Sequence, residues 1–236
     1  MHTRLTILLL TCAAVGCARP TTAPVSVAPP LFFLRHLPPR TTPSPLGLEV
    51  TAGRVHALVP DSWEARPIPP ARYPREGFVA SPKIDDWERQ AGTVGGAEAF
   101  WIDVGDVNLP SDYFYLVARG PVVGSLIANK SCRKTGQKIY VDNRPDFTGR
   151  TDSDGDYVAS ASGVCGRGPG LLRWEYIVVA PGYGPLRQIG IPTSGLYVVM
   201  AAVSGPRAGA LLQEMMDSTR FSNTSISQIV RAARLQ

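Results

Sequence analysis

The run Leu196–Val203 is apolar at every position. A strand with one face in water alternates apolar and polar side chains, so an unbroken run predicts a central strand covered on both faces. Ser204-Gly205-Pro206 follows, and the spacing beyond it predicts a helix to about Thr219. Ala208, Leu211, Leu212, Met215 and Thr219 form its apolar stripe. Upstream, short strands are expected at Val55–Pro60, Gly77–Pro82 and Ala97–Val104. The last of these puts Phe100 and Ile102 on one face and Trp101 and Asp103 on the other. Pro110-Ser111-Asp112 predicts a helix through Arg119, with proline and an acid at its start, where the helix dipole favours them. Lys138–Val141 and Tyr157–Cys165 read as a strand pair around a long polar loop. Leu171–Val179 reads as a half-buried strand with Leu172, Trp174, Tyr176 and Val178 on one face. Thr224–Gln236 is a short final helix or a frayed tail, and no internal repeat is present.

Not all 236 residues are available to this fold. Arg4 and the apolar run Leu5–Val15 form a basic-then-apolar leader. It is far shorter than the ~20 residues a spanning helix needs. The leader ends Ala14-Val15-Gly16-Cys17, which resembles a bacterial lipobox. There a thiol accepts a diacylglyceryl group and small neighbours admit the peptidase. Ala14 stands where leucine is commonest, and cleavage after Ala18 as an ordinary secretory signal is the alternative. The expectation is a lipoprotein signal at 1–16, with Cys17 as the lipidated N-terminus on the outer face of the cell membrane. Stable anchoring follows from two or more acyl chains, at about 0.8 kcal/mol per buried CH₂. No later segment reads as a second membrane span.

Residues 17–45 read as a disordered Pro/Thr-rich linker, with eight prolines between Pro20 and Pro45. Proline at this density blocks helix and sheet and gives an extended spacer, ~85 Å long if fully stretched. The Thr-Thr pairs are compositionally like O-glycosylation acceptors. Leu31-Phe32-Phe33-Leu34 disagrees with a pure spacer; docking on the chain's own domain is preferred over the membrane surface or a partner. One globular domain is expected at 46–222, followed by a tail at 223–236.

Cys12 leaves with the leader and Cys17 with the lipid, so an even pair remains, Cys132 and Cys165. In an oxidising compartment these are expected as a disulfide. It would close a loop of about 34 residues and contribute about 3.5–4 kcal/mol in the loop-entropy model. The formal charge of +5, falling by one when Arg4 is removed, is mild and scattered. Nucleic-acid binding calls for a basic stripe interleaved with aromatics, and the chain has none.

The order of elements resembles the LpqN-type lipoproteins of actinobacteria and, behind them, the PsbP-like domain. Val55-His56-Ala57-Leu58-Val59-Pro60-Asp61-Ser62-Trp63 carries the resemblance at the start, a strand ending in a Ser-Trp turn. Leu196–Phe221 carries it at the end, a strand leading to an amphipathic helix and Ser218-Thr219-Arg220-Phe221. The motifs are short, and the Cys132–Cys165 segment and the loop Pro181–Gly195 are not features of that pattern. The resemblance implies a single α/β/α sandwich with a central, mostly antiparallel sheet. It also implies a non-catalytic module binding partner proteins or ligands, in an envelope protein linked to lipid or glycolipid handling. It carries over no catalytic residue.

Candidate chemistry is sparse. His56 is the one histidine inside the expected domain, and no Gly-x-Ser-x-Gly elbow supplies a nucleophile for a triad. Two cysteines and one histidine do not make a zinc site. Asp152-Ser153-Asp154-Gly155-Asp156 has acids at alternate positions. A calcium loop, however, wants Gly and Glu where Tyr157 and Gly163 stand, so a solvated turn is preferred. Asp103, Asp106 and Asp112 could pair as glycosidase carboxylates, but helix capping and loop solvation need no special geometry and are preferred. Asn129 and Asn223 fit an N-glycosylation pattern that a bacterial lipobox makes irrelevant. Trp63, Trp101, Trp174, Tyr176 and Tyr197 are either plain core or the lining of an apolar groove for a lipid tail or glycan. The function expected is therefore a non-enzymatic envelope module without cofactor or metal, docking a protein or binding a lipid or glycolipid. The alternatives are a cell-wall hydrolase and a structural display domain.

Overall fold

The computed structural model describes residues 31–38, 45–68, 75–89, 93–103, 130–142, 156–181, 185–191 and 195–234. The leader, Cys17 and most of the Pro/Thr-rich stretch lie outside these residues, as do the helix expected at Pro110–Arg119, Asp106, Asp112 and the loop Asp152–Gly155. The described part is mixed but sheet-rich, with two antiparallel sheets and few helices.

The smaller sheet begins with β1 (Phe32–His36), β2 (Leu46–Ala52) and β3 (Val55–Pro60). β2 and β3 form a hairpin because Leu46, Leu48, Val50 and Ala52 face Val55, Ala57 and Val59 on one buried side. Its turn is made at Gly53, whose φ of 59° lies in the left-handed region open to glycine. The two-residue strands β11 (Arg220–Phe221) and β12 (Thr224–Ser225) complete the order β1-β2-β3-β11-β12.

The larger sheet has seven strands. In chain order these are β4 (Glu64–Pro67), β5 (Arg75–Ser81), β6 (Gly96–Asp103), β7 (Cys132–Asp142), β8 (Tyr157–Cys165), β9 (Leu172–Ala180) and β10 (Gly195–Ser204). Their order in space is β4-β5-β6-β10-β9-β8-β7. β10 lies between β6 and β9 and is buried from Gly195 to Val203, as its unbroken apolar sequence predicts. β9 departs from the half-buried expectation. Leu172, Trp174 and Val178 are buried on one face, and Ile177 and Val179 are buried on the other.

Four helices accompany the sheets among the described residues: α1 (Ile84–Arg89), α2 (Pro185–Gln188), α3 (Ala208–Ser218) and α4 (Ile226–Ala233). α3 packs on β9, β10 and β3 through Ala208, Leu212, Met215 and Met216. Ser218 at its end accepts from the Leu58 amide at 3.0 Å and donates to the Met215 carbonyl at 2.8 Å, closing the β3 edge beyond β11. The chain's last segment is a helix rather than a frayed tail. Ser225 and Gln228 form a capping box, and Ile226, Ile229, Ala232 and Ala233 enter the main core. β1 and α4 therefore extend the ordered unit past both ends of the expected 46–222 domain. The Leu31–Leu34 segment docks on its own domain as an edge strand, paired with β2 inside the stretch whose prolines argued against any sheet.

The Cys132–Cys165 disulfide is present, with an S–S distance of 2.02 Å. It joins directly opposed residues of β7 and β8, the pair expected from sequence.

Candidate functional site

The five aromatic residues proposed for an apolar groove do not share one. Side chains on a strand alternate between faces, and the seven-stranded sheet divides these residues. Trp101 and Tyr197 are cross-strand neighbours on the face that meets the five-stranded sheet and α3. Both are fully buried, and both rings close on Phe221, at centroid distances of 4.6 and 5.2 Å. The Trp101 indole lies across Gly195, where a Cβ would come within 1.9 Å of the ring. Trp174 and Tyr176 stack at 6.0 Å on the opposite face, with Trp174 over Gly163. Trp63 is half-buried at the rim of the main core. Trp101 and Tyr197 thus pack on one side of the sheet, and Trp174 and Tyr176 on the other.

Their polar atoms point to the same conclusion. Nε1 of Trp87, Trp101 and Trp174 and the Tyr197 hydroxyl are buried without a hydrogen-bond partner. A cavity that held a glycan would place donors and acceptors against such groups. Burial alone pushes the Tyr197 phenol well above its usual range.

An open cleft lies elsewhere, beside the edge strand β4. A cleft of about 420 Å³ lies between β4 and α1, lined by Glu64, Arg66, Lys83, Asp85, Asp86 and Arg89. α1 is pinned from below by Trp87, which is fully buried against Gly96. Before α1, the Ser81 hydroxyl donates to the Gly95 carbonyl at 2.7 Å and accepts from the Lys83 amide at 3.0 Å. Arg66 reaches across from β4 to two carboxylates of the helix, Asp85 at 3.3 Å and Glu88 in a close pair. Arg89 holds Asp86 at 3.1 Å and the Asp85 carbonyl at 3.0 Å. Glu64 and Lys83 have no ion-pair partner among the described residues. No sequence motif marks this cleft. Its residues come from two separated segments and show no spacing motif; the acids at the start of α1 were the available hint.

Of the remaining candidates, the side chains of His56 and Asp156 are described. His56 lies on β3 with its Nδ1 3.0 Å from the Thr51 hydroxyl. Burial lowers its pKa, Glu49 opposes this, and Arg220 lowers it further. Its described surroundings thus supply no Ser-His-Asp geometry. Asp156 is fully buried, and its Oδ2 accepts from the Leu186 amide at 3.0 Å in the first turn of α2. It belongs to a strand-to-helix junction rather than to a solvated turn. Among the described residues no three His, Cys, Asp or Glu side chains gather where one metal ion could bind them. No helix among these residues is long and apolar enough to cross a membrane. The chain matches no protein-family model, and no curated protein shows significant sequence similarity to it.

Proposed function

We propose that this chain is an exported lipoprotein, attached through Cys17 to the outer face of the cell membrane, whose globular part docks another envelope protein without catalysing a reaction. The placement rests on the leader, the Ala14-Val15-Gly16-Cys17 sequence and the even cysteine pair. The disulfide between Cys132 and Cys165 is in keeping with an oxidising compartment. Within this reading the fold is a PsbP-like α/β/α sandwich, enlarged by the five-stranded sheet, in an LpqN-type lipoprotein. Support comes from β10, central and covered on both faces, with α3 on one side of its sheet and Trp87 of α1 on the other.

The observation that carries docking over lipid carriage is where the aromatic and charged residues lie. The aromatics that could have lined a lipid cavity are packed core, and the open cleft is walled by charge. Three acids and three bases in such a cleft favour a partner of mixed charge, read by paired hydrogen bonds, over an acyl chain. Glu64 and Lys83 are the charges left for the partner; Arg66 and Arg89 are held by α1.

A photo-crosslinking residue in place of Asp86 tests this in living cells. The expected outcome is one discrete adduct of protein mass, lost when Lys83→Glu and Glu64→Lys are introduced together in a chain that still folds. A crosslink to lipid, or an adduct indifferent to the charge swap, would overturn the docking assignment.

A further inference from the structure

Among the described residues, three of the four exposed large hydrophobic side chains lie in or next to β1: Leu31 at 69 %, Phe33 at 58 % and Leu34 at 47 %. An exposed apolar edge strand invites association unless something covers it. β1 is such an edge, paired with β2 on one side only. It is held in place from end to end. The Gly53 amide donates to the Leu31 carbonyl at 2.8 Å, and the Leu37 amide to the Gly47 carbonyl at 2.7 Å. Arg35 pairs with Glu49 at 2.7 Å, and His36 with Asp61 at 2.6 Å. Leu31 and Phe33 are therefore presented on one face of a fixed strand, while Leu34, opposite Val50, belongs to the other.

The register shows what surrounds them. Phe33 lies opposite Thr51, Thr51 opposite His56, and His56 opposite Arg220, one row across four strands. That row shares the sheet face of Arg35 and Glu49, opposite the face of Val50, Val55 and Ala57 that enters the core. Arg220 lies in that row, and Arg35 and Arg54 beside it pair with Glu49 and Glu76.

The chain length bears on the occupant. Leu31 is 14 residues from Cys17. A Pro-rich stretch of that length spans at most ~45 Å at about 3.1 Å per residue, about half the reach of a spacer running to Pro45. The apolar strand is also the point at which the tether enters the fold. Resting on the anchoring at Cys17 proposed above, we propose that the Leu31–Leu34 end of β1 docks on the bilayer surface. Leu31 and Phe33 enter the boundary between headgroups and acyl chains, and Arg220 stays at the phosphate level. An interfacial aromatic and aliphatic patch beside basic residues is the chemistry a headgroup layer accepts. A tether this short holds the patch near the bilayer at high effective concentration, so modest intrinsic affinity suffices.

The full lipoprotein, purified with its acyl groups, can be reconstituted into vesicles of phosphatidylcholine and phosphatidylglycerol. An environment-sensitive dye is placed at Phe33→Cys or Leu31→Cys and, for comparison, at Gln213→Cys on the exposed side of α3; the native pair stays in its disulfide. Doxyl-labelled lipid should quench the dye at positions 31 and 33 by about half or more and leave position 213 nearly unchanged. Vesicle-bound, acylated protein with equal quenching at all three positions would overturn the docking and leave the anchor standing. Protein of unacylated mass that does not float with vesicles would overturn both. Dye shielded at position 33 without vesicles, in a species of doubled mass, would assign the strand to a second copy instead and overturn the membrane proposal.

Discussion

Buried indoles and phenols bring a polar atom into the core with their large apolar surface, and in this core several of those atoms have no partner. Tyr197 is the clearest case. Its ring packs on Phe221 while its hydroxyl is enclosed without a hydrogen bond. Removing an unsatisfied hydroxyl removes a desolvation penalty of about 1–3 kcal/mol. Tyr197→Phe should therefore leave urea-denaturation stability unchanged or raise it, whereas Trp101→Ala should lose about 3–5 kcal/mol for the cavity it opens beside Gly195. A large loss in Tyr197→Phe would mean the hydroxyl has a partner after all. His56 makes a second test at this scale. Burial lowers its pKa in the folded chain below the ordinary 6.5. The unfolded chain then holds more protons in the window between the two values, so stability falls as pH drops through it from about 6.5 and levels off below the folded pKa. His56→Gln should flatten that part of the profile in denaturation midpoints taken between about pH 5 and 7.5. An identical slope in both proteins would remove His56 as the cause. Residue burial was only partly legible in the sequence. Alternation places Trp101 opposite Phe100, but an aromatic stripe reads the same whether a groove or a second layer covers it.

Elements were more legible than residues where a single pattern decided them. The unbroken Leu196–Val203 run and the stripe from Ala208 to Met215 gave β10 and α3, and Tyr157–Cys165 gave β8 to the residue. β2 goes unpredicted although Leu46, Leu48, Val50 and Ala52 alternate cleanly, because the neighbouring prolines dominate the reading of that stretch. β1 was hidden for a similar reason: its partners lie on β2, and four of its five residues stay largely exposed, so no buried face announced it. The cleft was illegible because β4 and α1 meet only through tertiary pairing of Arg66 with Asp85 and Glu88. The disulfide makes an element-scale prediction. β7 is an edge strand with β8 as its sheet neighbour, and Cys132–Cys165 ties the two at their ends. Replacing both cysteines by alanine should lower stability by about 3.5–4 kcal/mol, the loop-entropy value for this separation, and thiol titration of the unfolded native protein should find no free thiol from this pair. Two free thiols, or no loss of stability in the double variant, would contradict the assignment.

For the molecule as a whole, the fold follows from stacking two incompatible surfaces. A seven-stranded sheet whose central strand is apolar on both faces needs cover on both, and one cover is itself a sheet with helices α3 and α4 beside it. Large side chains are used up in joining these layers. Among the described residues, a charged cleft lies at one sheet edge and an exposed apolar strand at the edge of the other sheet. The proposed docking module would use the cleft for a polypeptide partner and the edge strand for the bilayer.

Native mass spectrometry of the acylated protein, released gently from its own envelope, tests that account most directly. The account predicts one disulfide-bonded chain with covalent acyl groups, a fraction in complex with a second polypeptide that is lost in the Glu64→Lys, Lys83→Glu variant, and no non-covalent lipid. A stoichiometric lipid or glycolipid retained by the folded chain, with no polypeptide partner, would contradict it and make the protein a carrier.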